Sequence, residues 1–260
     1  MKLTFAYLVT VFPFICYSQT ILKADGPGNT YELINSVLAP KNEAVEHPEC
    51  IHPEFGRHIV EVFDTDLNEN VFEFYSHVKP DNDRCEKLDR QRIEIKTYEP
   101  SPDNLKGTLG ETVTYKWKFK LPKGFQPSGN FTHLHQIKAV GGSQDLPIFT
   151  LTARKSKTNQ FLVIHNNTTT IASAELSEFE GVWVEVTEKI TIGPNGKYAI
   201  SIKKVKNGQE LLVVSNEDIM TIRPDNDFIR PKWGIYRSLK KAEDLRDEVV
   251  RFNDFYIEEK

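Results

Sequence analysis

Cysteine is scarce in this chain. Three occur among 260 residues, with no CxxC spacing and no clustered histidines beside them, so the sequence argues only weakly for zinc. Long apolar runs are missing beyond the first seventeen residues, and no later stretch approaches the length of a transmembrane helix. Positive charge is not in excess either. Thirty-three Lys and Arg face 37 Asp and Glu, giving a formal charge of −4 and a pI near 6.0. Such a balance argues against a surface wholly built to hold a polyanion, and leaves a locally basic cleft open. Helical periodicity is rare, α/β alternation is absent, and neither an internal repeat nor a long linker is present. What the chain has is apolar bulk. Sixteen Phe, nine Tyr and three Trp supply ample surface to bury and exclude a disordered chain.

The N-terminus reads as a targeting segment. Met1-Lys2 is a short positive start, Leu3–Tyr17 is almost continuously apolar, and Ser18 is a small residue before Gln19. This is the pattern of a secretory signal peptide cleaved near Ser18 (residues 1–18), followed by one domain over 19–260. A lipoprotein anchor at Cys16 is disfavoured by the bulky Phe14-Ile15 in front of it. The expected localisation is therefore secreted. Removing the signal leaves Cys50 and Cys85, an even pair in an oxidising compartment. The expectation is a disulfide tying an N-terminal loop to the Asp/Asn-rich loop before Arg90.

Period-two alternation dominates the rest. In Val113–Leu121, Val113, Tyr115, Trp117, Phe119 and Leu121 share one face. Similar runs lie at Ile148–Ala153, Phe161–His165, Val182–Ile192, Tyr198–Val205, Leu211–Val214, Lys232–Ser238 and Val249–Glu258, with Gly-, Pro- and Asn-rich turns between them. Short helices are expected only at Asn29–Leu38 and Lys240–Asp247. The fold class is all-β, an antiparallel sandwich.

Three strands carry polar residues where a core would not want them. In Arg90–Lys96 alternation places Arg90, Arg92, Glu94 and Lys96 opposite Gln91, Ile93 and Ile95. In Phe131–Lys138 it groups Leu134, Gln136 and Lys138 against His133, His135 and Ile137. A bulge could reverse that facing, which keeps both histidines in consideration. In Lys232–Ser238 it groups Lys232, Gly234, Tyr236 and Ser238. A glycine within a strand marks either a close approach by ligand or chain, or a bend.

Taken in chain order, Arg92-Ile-Glu94-Ile-Lys96, Gln136-Ile-Lys138 and Lys232-Trp-Gly234-Ile-Tyr236 resemble the three-strand signature of jelly-roll polysaccharide lyases of the alginate lyase type. The usual forms there are Arg-x-Glu-x-Arg, Gln-Ile-His or Gln-Val-His, and Lys-x-Gly-x-Tyr. Val249–Ile257 also looks like the closing strand of such folds. Lys138 departs from the pattern, standing where alginate lyases place histidine. With the Asp81–Cys85 segment and the His133–Gly142 stretch, it makes the chain most similar to the secreted ulvan lyases of polysaccharide lyase family 28. The resemblance spans nearly the whole chain after the signal. It implies a concanavalin-like jelly roll with a concave cleft, acting on ulvan, the sulfated rhamnose–uronate polymer of green algae.

Lyase chemistry asks for particular groups. A base must take the C5 proton of a uronic acid, an acid must protonate the departing O4, and the carboxylate must be neutralised as charge develops on it. Lys138 and Tyr236 suit the proton transfers, while Gln136 and Arg92 suit the carboxylate. Either Lys138 is the base and Tyr236 the acid, the favoured arrangement, or Tyr236 does both and Lys138 neutralises. A lysine base needs its pKa lowered, and crowding by Arg90, Arg92 and Lys232 with partial burial works in that direction. Glu94 is expected to orient Arg92 or Lys96, since a carboxylate among cations is a poor proton acceptor. Lys232, Lys96, Arg90 and His133 complete the expected binding set. A glycoside hydrolase would need a second carboxylate, and the three strands supply none.

No cofactor is required by this reading, and no residue is assigned to a metal. Lyases of this fold sometimes carry structural calcium, yet Asp64–Asn70 lacks the central glycine and terminal glutamate of an EF-hand loop and is expected to be a solvated turn. The expected partner is an anionic polysaccharide, with no nucleic acid and no membrane, and the expected form is a monomer. Glucuronan, alginate or a heparin-like polymer is the alternative substrate. A non-catalytic carbohydrate-binding module on the same scaffold is the rival from another class.

Overall fold

Alternation along the chain becomes two faces of a sheet, and the apolar face decides how the sheets meet. The computed structural model describes residues 18–260. The expected signal segment lies outside them, apart from Ser18. In chain order the elements are β1 (Ser18–Leu22), α1 (Thr30–Leu38), β2 (Val45–Glu46), β3 (Ile59–Asp64), β4 (Glu69–Ser76), β5 (Arg90–Lys96), β6 (Thr112–Lys120), β7 (Thr132–Val140) and β8 (Phe149–Arg154). They continue with β9 (Gln160–His165), β10 (Thr169–Glu175), β11 (Trp183–Thr191), β12 (Gly196–Lys204), β13 (Glu210–Ile219), β14 (Phe228–Ser238) and β15 (Glu248–Glu259).

The strands form two antiparallel sheets. One runs β13-β12-β11-β6-β15-β4-β3, with β1 also paired to β15; the other runs β10-β9-β8-β7-β14-β5-β2. Their inner faces meet through Tyr115 and Trp117 of β6, Phe255 of β15 and Trp233 of β14, with ring centroids 5.1–6.2 Å apart. One polar bridge crosses this core: His135 Nε2 lies 2.8 Å from Glu188, which also accepts the Tyr198 hydroxyl at 2.8 Å. The architecture is the expected β-sandwich of jelly-roll type.

The core also fixes the register of the cleft strands. Ile93, Ile95, Trp233, Ile235 and Ile137 are buried, each worth about 1.5–3 kcal/mol. A one-residue slip in β5 or β14 would turn these outward and push arginine and lysine inward, so the pairing has little freedom. Trp233 stands opposite Ile95 and Ile235 opposite Ile93.

Several elements differ from expectation. The stretch Lys240–Asp247 forms only a 3-10 turn over Ala242–Asp244, with Arg246 tied to Glu248 and to the Lys123 carbonyl. Strands β1, β2, β3, β4 and β10 were not anticipated. β10 is an edge strand with mostly exposed side chains, hence without apolar alternation. The Asp64–Asn70 segment spans the turn joining β3 to β4, with Asp64 paired to Glu69 and Asn70 already in β4. Cys50 and Cys85 are disulfide-bonded, with Cα atoms 6.3 Å apart, as expected. Among the described residues, no helix is long and apolar enough to cross a membrane.

Candidate active site

The outer face of β14 is the centre of the site, because β5 and β7 pair with it on either side. Register places Lys232 between Lys96 and Gln136, Tyr236 between Arg92 and His133, and Arg230 opposite Lys138. Directly opposed residues hold their Cβ atoms about 4.5–5.5 Å apart. Residues far apart in sequence thus form adjacent rows. The rows line a cleft of about 820 Å³ whose walls include Arg90, Arg92, Lys96, His133, Gln136, Lys138, Lys232 and Tyr236. Every residue expected on the substrate face is here, except that Glu94 lies fully buried beneath the floor.

Two irregularities shape this floor. β7 pairs with β8 through a register shift between His133 and His135, which is a bulge at Leu134. The regular facing expected for His133, opposite Gln136 and Lys138, is therefore wrong: the bulge returns His133 to the cleft side, while His135 stays in the core. The pairing of β14 with β7 shifts between Trp233 and Tyr236, and Gly234 sits there with φ +144°. A Cβ on Gly234 would come within 2.1 Å of the Ile93 carbonyl oxygen. The glycine permits a close approach of β5.

A frame of buried carboxylates holds the cations. Glu94 accepts from Arg92 Nη1 at 2.6 Å and from Gln136 Nε2 at 2.6 Å. Asp83 accepts from Arg92 Nε at 2.8 Å and Nη2 at 3.2 Å. Glu46 bonds Lys232, and lies 2.9 Å from Lys96 and 3.2 Å from Arg84. Burial works against the charge of Glu46, but Lys232, Arg92 and Lys96 hold its carboxyl well below the usual range. Glu94 thus orients Arg92 as expected, whereas Lys96 is held by Glu46. The role expected for Arg92 needs correction too. Its bidentate fork grips Asp83, so it offers the cleft positive charge rather than a free fork.

The two residues expected to move protons are poised differently. The Lys138 amine donates to the carbonyls of Gln144 and Asp145 at 2.7 and 2.6 Å. Burial, then the charges of Arg230 and Arg92, push its pKa down to about 8. Tyr236 accepts a hydrogen bond from Arg90 Nη1 at 3.0 Å, so its own hydroxyl proton is free to point into the cleft. The Arg92 guanidinium lies 3.6 Å from the Tyr236 ring centroid. His133 is neutral: burial, with Arg154, Arg92 and Lys138 nearby, pushes it down to about 3.

Sequence reasoning missed part of the site. Arg230 lies two residues before Lys232, where the expected strand begins, although it belongs to the same alternating face of β14. Arg84 reaches the cleft from the loop before β5, and Glu46 from the two-residue strand β2. Glu46 and Asp145 are carboxylates at the cleft that the three motif strands do not supply; the ion pairs of Glu46 leave it ionised and unsuited to donate a proton. The turn at Asp64 does not fit calcium. Asp64 Oδ1 accepts from the backbone of Asp66 and Leu67 and from Trp183 Nε1, and Oδ2 accepts from Arg251 at 2.6 Å.

No protein-family model and no curated protein sequence matches the chain. Solved structures do match its fold. An endo-β-1,4-glucuronan lyase from the fungus Trichoderma reesei is 13% identical, with a TM-score of 0.53, over 92% of this chain and 94% of that one. An alginate lyase in complex with an alginate trisaccharide is 10% identical, with a TM-score of 0.58, over 92% and 97%. A family 7 alginate lyase is 14% identical, with a TM-score of 0.56, over 82% and 92%. The chain therefore has the jelly-roll fold found in glucuronan and alginate lyases.

Proposed function

We propose that the protein is a secreted polysaccharide lyase that cleaves a uronic-acid polymer by β-elimination, with ulvan as its substrate. The observation that carries this reading is the register of β14, which sets an amine of lowered pKa and a tyrosine hydroxyl in one basic cleft. Neutral Lys138 takes the C5 proton. The C5 electrons form the C4–C5 double bond, the C4–O4 bond breaks, and Tyr236 gives its proton to O4. Negative charge then grows on the substrate carboxylate and on the Tyr236 oxygen. Gln136 and the Arg230 guanidinium face the first, with Lys232 beside them, its amine held by Glu46 and pushed down to about 7 by burial and then Arg92, while Arg90 and Arg92 face the second. The charge of Arg92 enters through the tyrosine ring, since its fork is held by Asp83.

Ulvan is favoured by Lys138 in the position where alginate lyases have histidine. Glucuronan is the second reading, supported by the fold shared with the glucuronan lyase. The test is to incubate the protein lacking residues 1–18 with ulvan, glucuronan, alginate and heparin, following the ultraviolet absorbance of unsaturated uronate ends. The expected result is a signal on ulvan, reduced about 10²–10⁴-fold in Lys138→Ala and in Tyr236→Phe. Binding without absorbance on all four polymers would establish a carbohydrate-binding module instead. Full turnover by Lys138→Ala would refute its role as base.

A further inference from the structure

We propose that His52, His58, His77 and Asp81 form a closed site for a divalent transition-metal ion, zinc foremost, on the loop that frames the cleft. None of the four lines the cleft itself. They come from three places in the chain: the loop before β3, the entry to β3, and the segment after β4. One ligand atom from each lies within 4.8 Å of the other three. His52 Nδ1 and His58 Nε2 approach Asp81 Oδ1 at 2.9 and 3.1 Å, and His77 Nδ1 approaches Oδ2 at 3.1 Å. A tetrahedral zinc with bonds of about 2.0–2.1 Å has ligand atoms about 3.3 Å apart. The two edges from His52 and His58 to Asp81 Oδ1 are already close to that, and His77 lies at a similar distance from the other carboxylate oxygen.

Three features favour a metal over hydrogen bonding alone. Asp81 Oδ2 already accepts the His77 backbone N–H at 2.7 Å, yet three imidazole rings also crowd around this carboxylate with centroids 5.0–5.5 Å apart. His58 and Asp81 are fully buried, and Phe55 covers the group, 4.3–5.3 Å from all three rings. The outward nitrogen of His58 is a buried atom without a hydrogen-bond partner, and it faces Glu49 at 3.8 Å. A carboxylate behind a liganding histidine is the usual outer support of zinc. Three nitrogens and one oxygen without sulfur suit zinc better than calcium or magnesium. Four protein ligands leave no open position, which marks a structural site rather than a catalytic one.

The site has a task in this fold. Asp81 is followed by Asn82, whose carbonyl accepts the backbone N–H of Arg92 at 3.2 Å. Asp83 grips the Arg92 side chain, Arg84 enters the cleft, and Cys85 closes the disulfide. A metal at Asp81 and the disulfide at Cys85 would clamp both ends of this segment.

The test uses the protein lacking residues 1–18, stripped with a chelator, desalted and titrated with zinc sulfate. Metal is counted by plasma mass spectrometry and folding is followed by circular dichroism. One zinc per chain is expected, and cobalt(II) should give the visible bands of a tetrahedral site. His52→Ala and His77→Ala, both at partly exposed positions, should each weaken zinc binding at least about a hundredfold. Folded wild-type protein that takes up well under one equivalent, or gives no tetrahedral cobalt spectrum, would show a hydrogen-bonded imidazole cluster only. Zinc uptake unchanged in both variants would place the ion elsewhere and overturn the assignment.

Discussion

The strongest test of the cleft chemistry is to move the titration of Lys138 without touching Lys138. Its pKa is pushed down to about 8 from 10.5, by burial first and by Arg230 and Arg92 next. At pH 7 about a tenth of such amines are neutral, against roughly 0.03% for an unshifted lysine. Arg230 is the charge to remove. It stands directly opposite Lys138, and no hydrogen-bond partner is found for its buried Nε and Nη1 atoms. Arg230→Gln therefore breaks no observed bond of those atoms. If the two charges are separated by about the Cβ spacing of opposed residues, roughly 5.5 Å, they repel by about 0.75 kcal/mol in a water-like medium and about 3 kcal/mol at an effective dielectric constant of about 20. Losing that repulsion should raise the Lys138 pKa by roughly 0.5–2 units.

The assay is the pH profile of kcat/KM, which reports groups of the free enzyme. If neutral Lys138 is the base, activity rises with pH through a midpoint near 8, and Arg230→Gln moves this acid limb to higher pH. If Lys138 must stay charged while Tyr236 moves the protons, the same titration forms the alkaline limb, which Arg230→Gln then extends upward. The limb that moves assigns the roles, independently of any change in overall rate. A profile in which neither limb moves would refute the coupling and the role of Lys138 together.

Gly234→Ala should cost roughly 2–4 kcal/mol in urea unfolding, because its Cβ meets the Ile93 carbonyl at 2.1 Å and φ is +144°. Wild-type stability in that variant would show that β5 can retreat. The double substitution Cys50→Ser and Cys85→Ser should destabilise the protein by about 4 kcal/mol, the chain-entropy value for a loop of 35 residues. An unchanged unfolding midpoint would mean that the loop is held by other contacts. Raising salt from 50 to 500 mM should raise KM for a polyanionic substrate more than it lowers kcat, because charges at the rim are screened more than buried ones. A KM that stays flat would deny the cleft its electrostatic role.

Much of this was legible in the sequence because alternation is a local signal. Ile93 with Ile95, and Trp233 with Ile235, announced inner faces, and their outer partners Arg92, Lys232 and Tyr236 followed by parity. Parity failed at Leu134, where a bulge inserts one residue, and nothing in Thr132–Gln136 announces it. It fell short differently at Lys232, where the expected strand begins although β14 runs from Phe228 through Pro231. Glu46, Asp83 and Arg84 were illegible for another reason. They sit in or beside irregular segments, and Glu46 and Arg84 reach the cleft, with Asp83 beneath it, only because β2 pairs with β5 and the disulfide pins the loop. The histidine cluster shares that cause, since its members have no motif spacing and meet only through the β3–β4 hairpin and its flanks.

The same distinction governs the charge. A formal net charge of −4 says little about the field at a place where eight basic side chains and two carboxylates line one cleft. The carboxylates that offset those cations lie mostly beneath them. Glu94 and Asp83 are fully buried and Glu46 nearly so. From that position they hold Arg92, Gln136, Lys96 and Lys232 in place while leaving the mouth of the cleft positive. Anions placed beneath rather than beside the cations fix geometry without cancelling the potential that a polyanion meets on arrival. The acidic balance then belongs to the rest of the surface, where it keeps the positive field confined to the groove.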